Sequence, residues 1–419
     1  MSVKTNTDLK PVIDKRDWAA QYMIGEITHV IKTFGKRAPG SEGEKKACEY
    51  MADVLREQCG CEDVKVESFS EHPGAFYGWR FLTITLVLAG IALLFVCPPV
   101  SVILYVLGFA IMFLEFGFYK QAVDFLFPKR TGHNVTAIKK CTGTVERRIF
   151  FNGHPDAAWE WPVNYKFGGA AFEAHAIISC IGTLYYLVLS IVQVCTHGVA
   201  GAEVSSVIGK MGLIGLIFVP FLVTLYMMNN EFRIVDGAND NLTACYMGIS
   251  ILKAMRDLGV ELEHTEVGVL LTGSEEAGLR GAKAWSKAHK DEYTDVPTFF
   301  YSYDTIHDPK YLMVNYRDLN ATVQSDADLG DLFMEAAAAL DVPCSKGFVP
   351  PLGGATDAAA FAQAGRRAVG ITGLNHNLEN YYHTRRDTYD NMNAQGLSNC
   401  FAASVKTLEI FDNGAKQGN

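Results

Sequence analysis

No tract of this 419-residue chain concentrates lysine and arginine, and acids outnumber bases 46 to 37, for a formal charge of −9. A nucleic-acid binder needs a basic patch to neutralise phosphates, so a nucleic-acid partner is not expected. The ten cysteines form no repeating framework; the only close pair, Cys59 and Cys61, is C-x-C rather than the C-x-x-C of redox and zinc motifs. Free thiols in a reducing compartment are the expectation. The opening stretch MSVKTNTDLKPVIDKRDW carries no apolar segment of the kind a cleavable signal peptide uses. Internal repeats and low-complexity segments are also missing.

Long apolar runs, by contrast, are plentiful. Four of 17 to 20 residues come in two pairs, Phe81–Cys97 with Val102–Phe118 and Ala176–Cys195 with Met211–Met228. That length sits at the short edge of what crosses ~30 Å of hydrocarbon at ~1.5 Å per residue. The first run, FLTITLVLAGIALLFVC, is apolar on every face, whereas a helix in a soluble core keeps a polar stripe. The prolines of PPVS suit a tight turn between antiparallel spans. Glu115, Glu173 and Lys210 fall near run ends, where charges reach the interface at tolerable cost.

Two transmembrane hairpins are therefore predicted, at 79–119 and 169–230, interrupting a soluble domain made of residues 1–78, 120–168 and 231–419. The flanks of that domain carry Arg80, Lys120, Lys129, Arg130, Lys166 and Arg233, while the hairpin turns carry only Lys210. The positive-inside tendency then predicts a multi-pass protein, at the plasma membrane, with the soluble domain facing the cytoplasm. The lipid bilayer is one expected partner, and the spans leave room for homo-oligomers. Three Asn-x-Thr triplets, at Asn134, Asn241 and Asn320, would matter only on the opposite face.

Outside the hairpins, helical and strand patterns alternate. GSEGEKKACEYMADVLREQCG opens with Ser41 and Glu44 at capping-box spacing and closes on Gly60. Short β-rich runs are VKVESF, HNVTAI, RRIFFNG, EVGVLL, TFFYSY, YLMVNY and RAVGIT. In NLTACYMGISILKAMRDLG, Leu242, Cys245, Tyr246, Ile249 and Leu252 share one helical face. The pattern predicts an α/β fold, a mostly parallel central sheet with helices on both faces.

Ligands of open α/β sheets bind beyond the carboxyl ends of the strands. RRIFFNG is followed by His154 and Asp156, EVGVLL by Glu275 and Glu276, and TFFYSY by Asp304; DGANDN sets Asp240 at a helix entry, and NYYHTRRDTYDN presents His383. Each motif alone is weak, since adjacent glutamates are usually solvated and an Asp before a helix is usually an N-cap. Together they deliver two imidazoles and several carboxylates to one rim, a donor set suited to a pair of zinc-like ions sharing a carboxylate. One glutamate of the adjacent pair is then free to ligate while its neighbour acts as general base. Asp156 is placed to accept the N–H of His154 and fix its tautomer.

The soluble part resembles the clan MH zinc aminopeptidases, the family of aminopeptidase Y and the bacterial leucyl aminopeptidases. The stretches that carry the resemblance are GKRAPGSEGEKKACEYMADVLRE, FFNGHPD, DGANDNLTA, LLTGSEEAGLRGA, YSYDTI, GGATDAAAFAQAG and NYYHTRRDTYDNM, in the family's order. It implies the zinc-exopeptidase fold and two Zn²⁺, with Asp240 bridging, His154 and Asp304 completing one site, and Glu276 and His383 the other. Other divalent transition metals also fit such a set. The resemblance further implies Glu275 as general base, Tyr382 as the group polarising the scissile carbonyl, and Asp357 near the active site, where the plainer reading is a helix N-cap. The two hairpins depart from the family pattern.

The implied activity is a membrane-anchored aminopeptidase acting on peptides. A di-zinc carboxypeptidase or amidohydrolase keeps the metals and changes the substrate; Arg385 and Arg386 would then clamp a substrate carboxylate. A non-catalytic membrane scaffold with a peptidase-like fold would be marked by missing ligands, and no ligand position is missing. A transporter would need charges at mid-span, and the runs lack them.

Overall fold

The computed structural model describes residues 7–351, 353–375 and 379–414. The chain divides into two compact units, one made of the residues up to Pro73, Lys129–Trp159 and the chain from Ile234 on, the other of Gly74–Pro128 and Glu160–Arg233.

The first unit is built on an eight-stranded sheet: β1 Asp63–Glu71, β2 Arg130–Lys139, β3 Arg147–Gly153, β4 Thr265–Thr272, β5 Thr298–Ile306, β6 Leu312–Asn315, β7 Ser345–Gly347 and β8 Arg367–Gly373. Their spatial order is β1-β2-β4-β3-β5-β8-β6-β7. The central four, β4-β3-β5-β8, are mutually parallel. β1 and β2 extend them antiparallel, and β6 returns antiparallel to β8. β3, β4 and β5 are buried along their whole length, as the continuous apolar runs of a sheet covered on both faces require. Helices Arg16–Phe34, Thr243–Asp257 and Ala394–Asp412 contribute to the core, and Leu242, Cys245, Tyr246, Ile249 and Leu252 all lie inside it. β7 has only three residues and two exposed ones, too short to leave an alternating signal in the sequence.

Ser41 caps helix Glu42–Asp53 by accepting the N–H of Glu44. The reciprocal half of the predicted capping box is not made: the Glu44 carboxylate turns inward, to Gly40 N–H and the Ser274 hydroxyl. The sequons at Asn134 and Asn241 are buried and occupied by internal hydrogen bonds. All ten cysteines are free thiols.

The second unit contains four helices long and apolar enough to cross a membrane: Gly74–Leu93, Pro98–Gly117, Gly169–His197 and Val207–Met227. The unit takes in more chain than the predicted hairpins. The first helix starts at Gly74, and its Gly78 lies against Phe127, where a Cβ would stand 2.1 Å from the ring. Trp161 stacks on Phe172 at 4.3 Å, drawing residues 160–168 in as well. Val207–Met227 is not one continuous α-helix: it tightens to a 3₁₀ turn at Gly215–Phe218, just ahead of Pro220, which lacks an N–H for the ladder. Glu115, expected to reach an interface, is buried and accepts the N–H of Val123 instead. Along Gly169–His197 the usual amphipathicity is inverted. His175, Ser179, Thr183, Ser190 and Gln193 face inward, whereas Ile181, Leu184 and Val188 are each about half exposed.

Candidate metal centre

The three central parallel strands converge on one rim. β3 lies between β4 and β5, so the residue leaving its carboxyl end, His154, enters flanked by the turn after β4 and the end of β5. Gly153 permits close approach, since a Cβ there would stand 2.6 Å from the backbone of Ala244 in the helix that follows Asp240. Asp240 therefore arrives beside His154, Nε2 to Oδ1 at 3.4 Å. Asp304 belongs to β5 itself, and Glu275 and Glu276 sit in the short turn after β4 that begins at Ser274 with left-handed φ of 57°.

His154, Asp240 and Asp304 form one group whose donor atoms lie within 4.8 Å of one another, Asp240, Glu276 and His383 form a second, and His154, Glu275 and Glu276 form a third. Asp240 belongs to the first two. It presents Oδ1 to His154 and Oδ2 to His383, the latter 3.0 Å from Nε2. Glu276 Oε1 is 3.3 Å from His383 Nε2, and Glu275 Oε2 is 3.6 Å from His154 Nε2. All six residues are buried.

This set fits divalent cations. Asp240 Oδ2 and Glu276 Oε1 are buried without a well-formed hydrogen bond, although other donor atoms of the group surround them. Lone pairs crowded in this way repel unless a cation or a proton lies between them. The acid–base properties carry the same signature. Burial, and then the Asp240 charge, push Asp304 up to about 8. Burial raises Glu275 well above the carboxylate range against the pull of His154. Burial opposes ionisation of Asp240 too, but its contacts with His154 and His383 prevail and hold it low. Imidazole and carboxylate together are the donor chemistry of zinc and its neighbours.

Around these groups lies a supporting layer. Asp156 accepts the backbone N–H of both Glu275 and Glu276, at 3.1 and 3.0 Å, and stands 3.4 Å from His154 Nδ1. It thus ties two strand ends together as well as facing the imidazole. Asp357 is buried and accepts the Thr272 hydroxyl at the end of β4; the N-cap of helix Asp357–Gln363 is Thr356, so the capping reading of Asp357 does not hold. Burial drives Asp357 up to about 7. Tyr382 stacks on the His383 ring at 4.2 Å. Arg385 and Arg386 are exposed, and an Arg386 Nη1–H goes to Asn380 O.

Three positioning residues escaped the sequence reading. Asp387 accepts from Asn239 N and Nδ2 and from Asp240 N, holding the backbone of the residue common to the first two donor groups. Asn241 donates to Tyr303 O and accepts from Thr305 N, which fastens the Asp240 turn to the end of β5. Arg37, fully buried, donates to Pro155 O, Asp236 O and Gly237 O, spanning the loops that follow His154 and precede Asp240. Each lies inside a motif quoted above. Their signal was an Arg, an Asn and an Asp in stretches rich in glycine and polar residues, indistinguishable by composition from loop surface.

The model of Peptidase family M28 matches residues 224–408. No curated protein matches the chain. Among solved structures, the zinc aminopeptidase of Bacillus subtilis superposes with a TM-score of 0.54 at 12% identity, over 93% of this chain and 94% of that one. The aminopeptidase from Aneurinibacillus sp. strain AM-1 gives 0.55 at 14% identity, over 96% and 95%. The glutaminyl cyclase of an Acidobacteriales bacterium gives 0.52 at 13% identity, over 94% of each chain. At these identities the likeness is one of fold: a mostly parallel sheet flanked by helices, the zinc-exopeptidase architecture.

Proposed function

We propose that this protein is a membrane-anchored, two-zinc exopeptidase of the M28 kind that removes amino-terminal residues from peptides. The observation that carries the reading is the pair of donor groups sharing Asp240, with Glu275 on the same rim. His154, Asp240 and Asp304 would hold one ion, and Asp240, Glu276 and His383 the other. When bound, the ions supply Lewis acidity, lowering the pKa of water and polarising a carbonyl.

The chain's own groups supply the rest. Glu275 could join His154 and Glu276 in holding an ion, but it lies outside the two groups that share Asp240 and its Oε2 faces the same cluster, which supports a role in taking a proton from attacking water and returning it to the leaving amine. Burial raises its affinity for protons, the direction a proton acceptor requires. Tyr382 offers its hydroxyl to the scissile carbonyl. Asp156 holds the Glu275–Glu276 turn and orients His154.

The inverted amphipathicity of Gly169–His197 supports membrane anchoring: apolar side chains cover the outside while hydroxyls, an amide and an imidazole pack inside, the arrangement favoured when the surrounding solvent is hydrocarbon. Two hairpins would return the chain to one face, and the Lys/Arg bias supports a cytoplasmic position for that face.

The test pairs metal analysis with a substrate panel. Two equivalents of zinc and cleavage of free-amino but not amino-blocked dipeptides are expected. Cleavage of blocked substrates alone would move the assignment to a carboxypeptidase or amidohydrolase. Because the fold is shared with glutaminyl cyclases, the panel includes a peptide beginning with glutamine, whose cyclisation without chain shortening would replace hydrolysis by intramolecular transfer. Absence of bound metal in the native protein would leave a scaffold.

A further inference from the structure

Beside the centre, and outside its ligand set, two buried acids meet at one hydroxyl. Glu44 comes from the first turn of helix Glu42–Asp53 and Glu71 from the end of β1; both are essentially inaccessible. The Ser274 Oγ lies 2.8 Å from Glu44 Oε1 and 2.7 Å from Glu71 Oε1. It also accepts the Gly40 N–H at 3.1 Å. Little room is left for water, because a Cβ on Gly40 would stand 2.7 Å from Glu71 Oε1 and one on Gly273 2.7 Å from Glu44 Oε1.

A serine hydroxyl has one proton to give. It can donate to one carboxylate; the second contact is a hydrogen bond only when that other carboxyl carries a proton of its own and donates back to Oγ. Two ionised acids at these distances, buried and without a cation between them, would repel. Ser274 immediately precedes Glu275 and Glu276, so whatever holds its side chain holds the start of their turn, just as Asp156 holds the two following N–H groups from the other side.

We propose that Glu44 and Glu71 share a proton across the Ser274 hydroxyl, and that this neutral-plus-charged pair is a positioning device fixing the turn that carries Glu275 and Glu276. The proposal rests on the hydrolase reading for its effect on turnover, but the shared proton itself does not. Burial pushes Glu71 up to about 7, and Glu44 well above the carboxylate range. The charged groups facing the pair are Asp156 from the loop after β3, which disfavours a second negative charge, and Arg280 and Arg130, which favour it at Glu71; Cys48 is the neighbour on the Glu44 helix.

The experiment uses the full-length, metal-loaded protein in detergent. Glu71→Gln and Glu44→Gln each keep a donor for Ser274 Oγ and remove one titrating group. At neutral pH the wild-type-minus-variant infrared difference should show the carbonyl band of a protonated carboxyl for both variants, because the remaining carboxylate then accepts the serine proton. No band in either difference would overturn the proposal. Should a glutamine variant fail to fold, Ser274→Ala, which removes the bridge without adding volume, must shift the same band. In peptide hydrolysis, the alkaline fall of kcat should move upward by about one pH unit in Glu71→Gln, so that at a pH where wild type has lost about tenfold the variant has lost much less, with KM little changed. An unmoved alkaline limb would overturn the positioning role. If the wild type hydrolyses no peptide, the hydrolase reading fails while the infrared result still decides the proton.

Discussion

Asp240 is the residue on which the centre turns, since each of its oxygens faces a different imidazole and no other carboxylate belongs to both the group with His154 and Asp304 and the group with Glu276 and His383. Glu275, by contrast, lies outside both of those groups and shares a third with His154 and Glu276, and the roles proposed for Asp240 and Glu275 are separable by substitution. Glu275→Gln is expected to retain both metals by elemental analysis while turnover falls about 10²–10⁴-fold, the usual contribution of a general base. The Asp387 carboxylate accepts hydrogen bonds from Asn239 and from the backbone of Asp240 rather than from a proposed ligand side chain. Asp387→Ala should therefore weaken metal binding by about 10–100-fold, read by chelator competition, without changing the number of ions bound at saturation.

The elements show how the residues are delivered. Three parallel strands end at the same level because their registers are continuous from β4 through β3 to β5, so His154, the Glu275–Glu276 turn and Asp304 need no long loops to meet. Most of these strands were legible as apolar runs bounded by turns, and five motifs pointed to the rim. The capping box was half right: Ser41 does cap, but Glu44 is spent on Ser274, a partner 230 residues away that no local pattern announces. Helix Gly169–His197 makes a discriminating prediction at this scale. Leu184, about half exposed on its outer face, replaced by Arg should cost about 2.5–3.5 kcal/mol of membrane insertion and reduce the share of protein in the membrane fraction. In a water-soluble unit the same change would improve solubility.

For the molecule as a whole, the proposed metal centre and the buried acids around it should make stability depend on metal and on pH. Removal of zinc by chelation should lower the melting temperature, with about 2.7 kcal/mol regained at a free-metal concentration a hundred times the dissociation constant. Burial raises Glu71 and Asp387 each to about 7, against about 4 in the unfolded chain. The folded state thus binds more protons than the unfolded one between those values, so this contribution is complete below about pH 4 and is lost as pH rises through about 7. Melting curves across that window should show wild type losing stability with rising pH, and Glu71→Gln losing less.

Composition and periodicity by themselves determined the alternation of helix and strand, the four apolar helices and the short-range motifs, because each depends on residues adjacent along the chain or repeated at the period of one element. Only the tertiary structure decided that His154, Asp240, Glu276, Asp304 and His383 share one buried space, that Arg37, Asn241 and Asp387 brace it, and that Glu44 and Glu71 meet at Ser274. Those relations join positions up to 230 residues apart. A side chain's partners across a sheet are set by strand order and register, which local pattern does not encode.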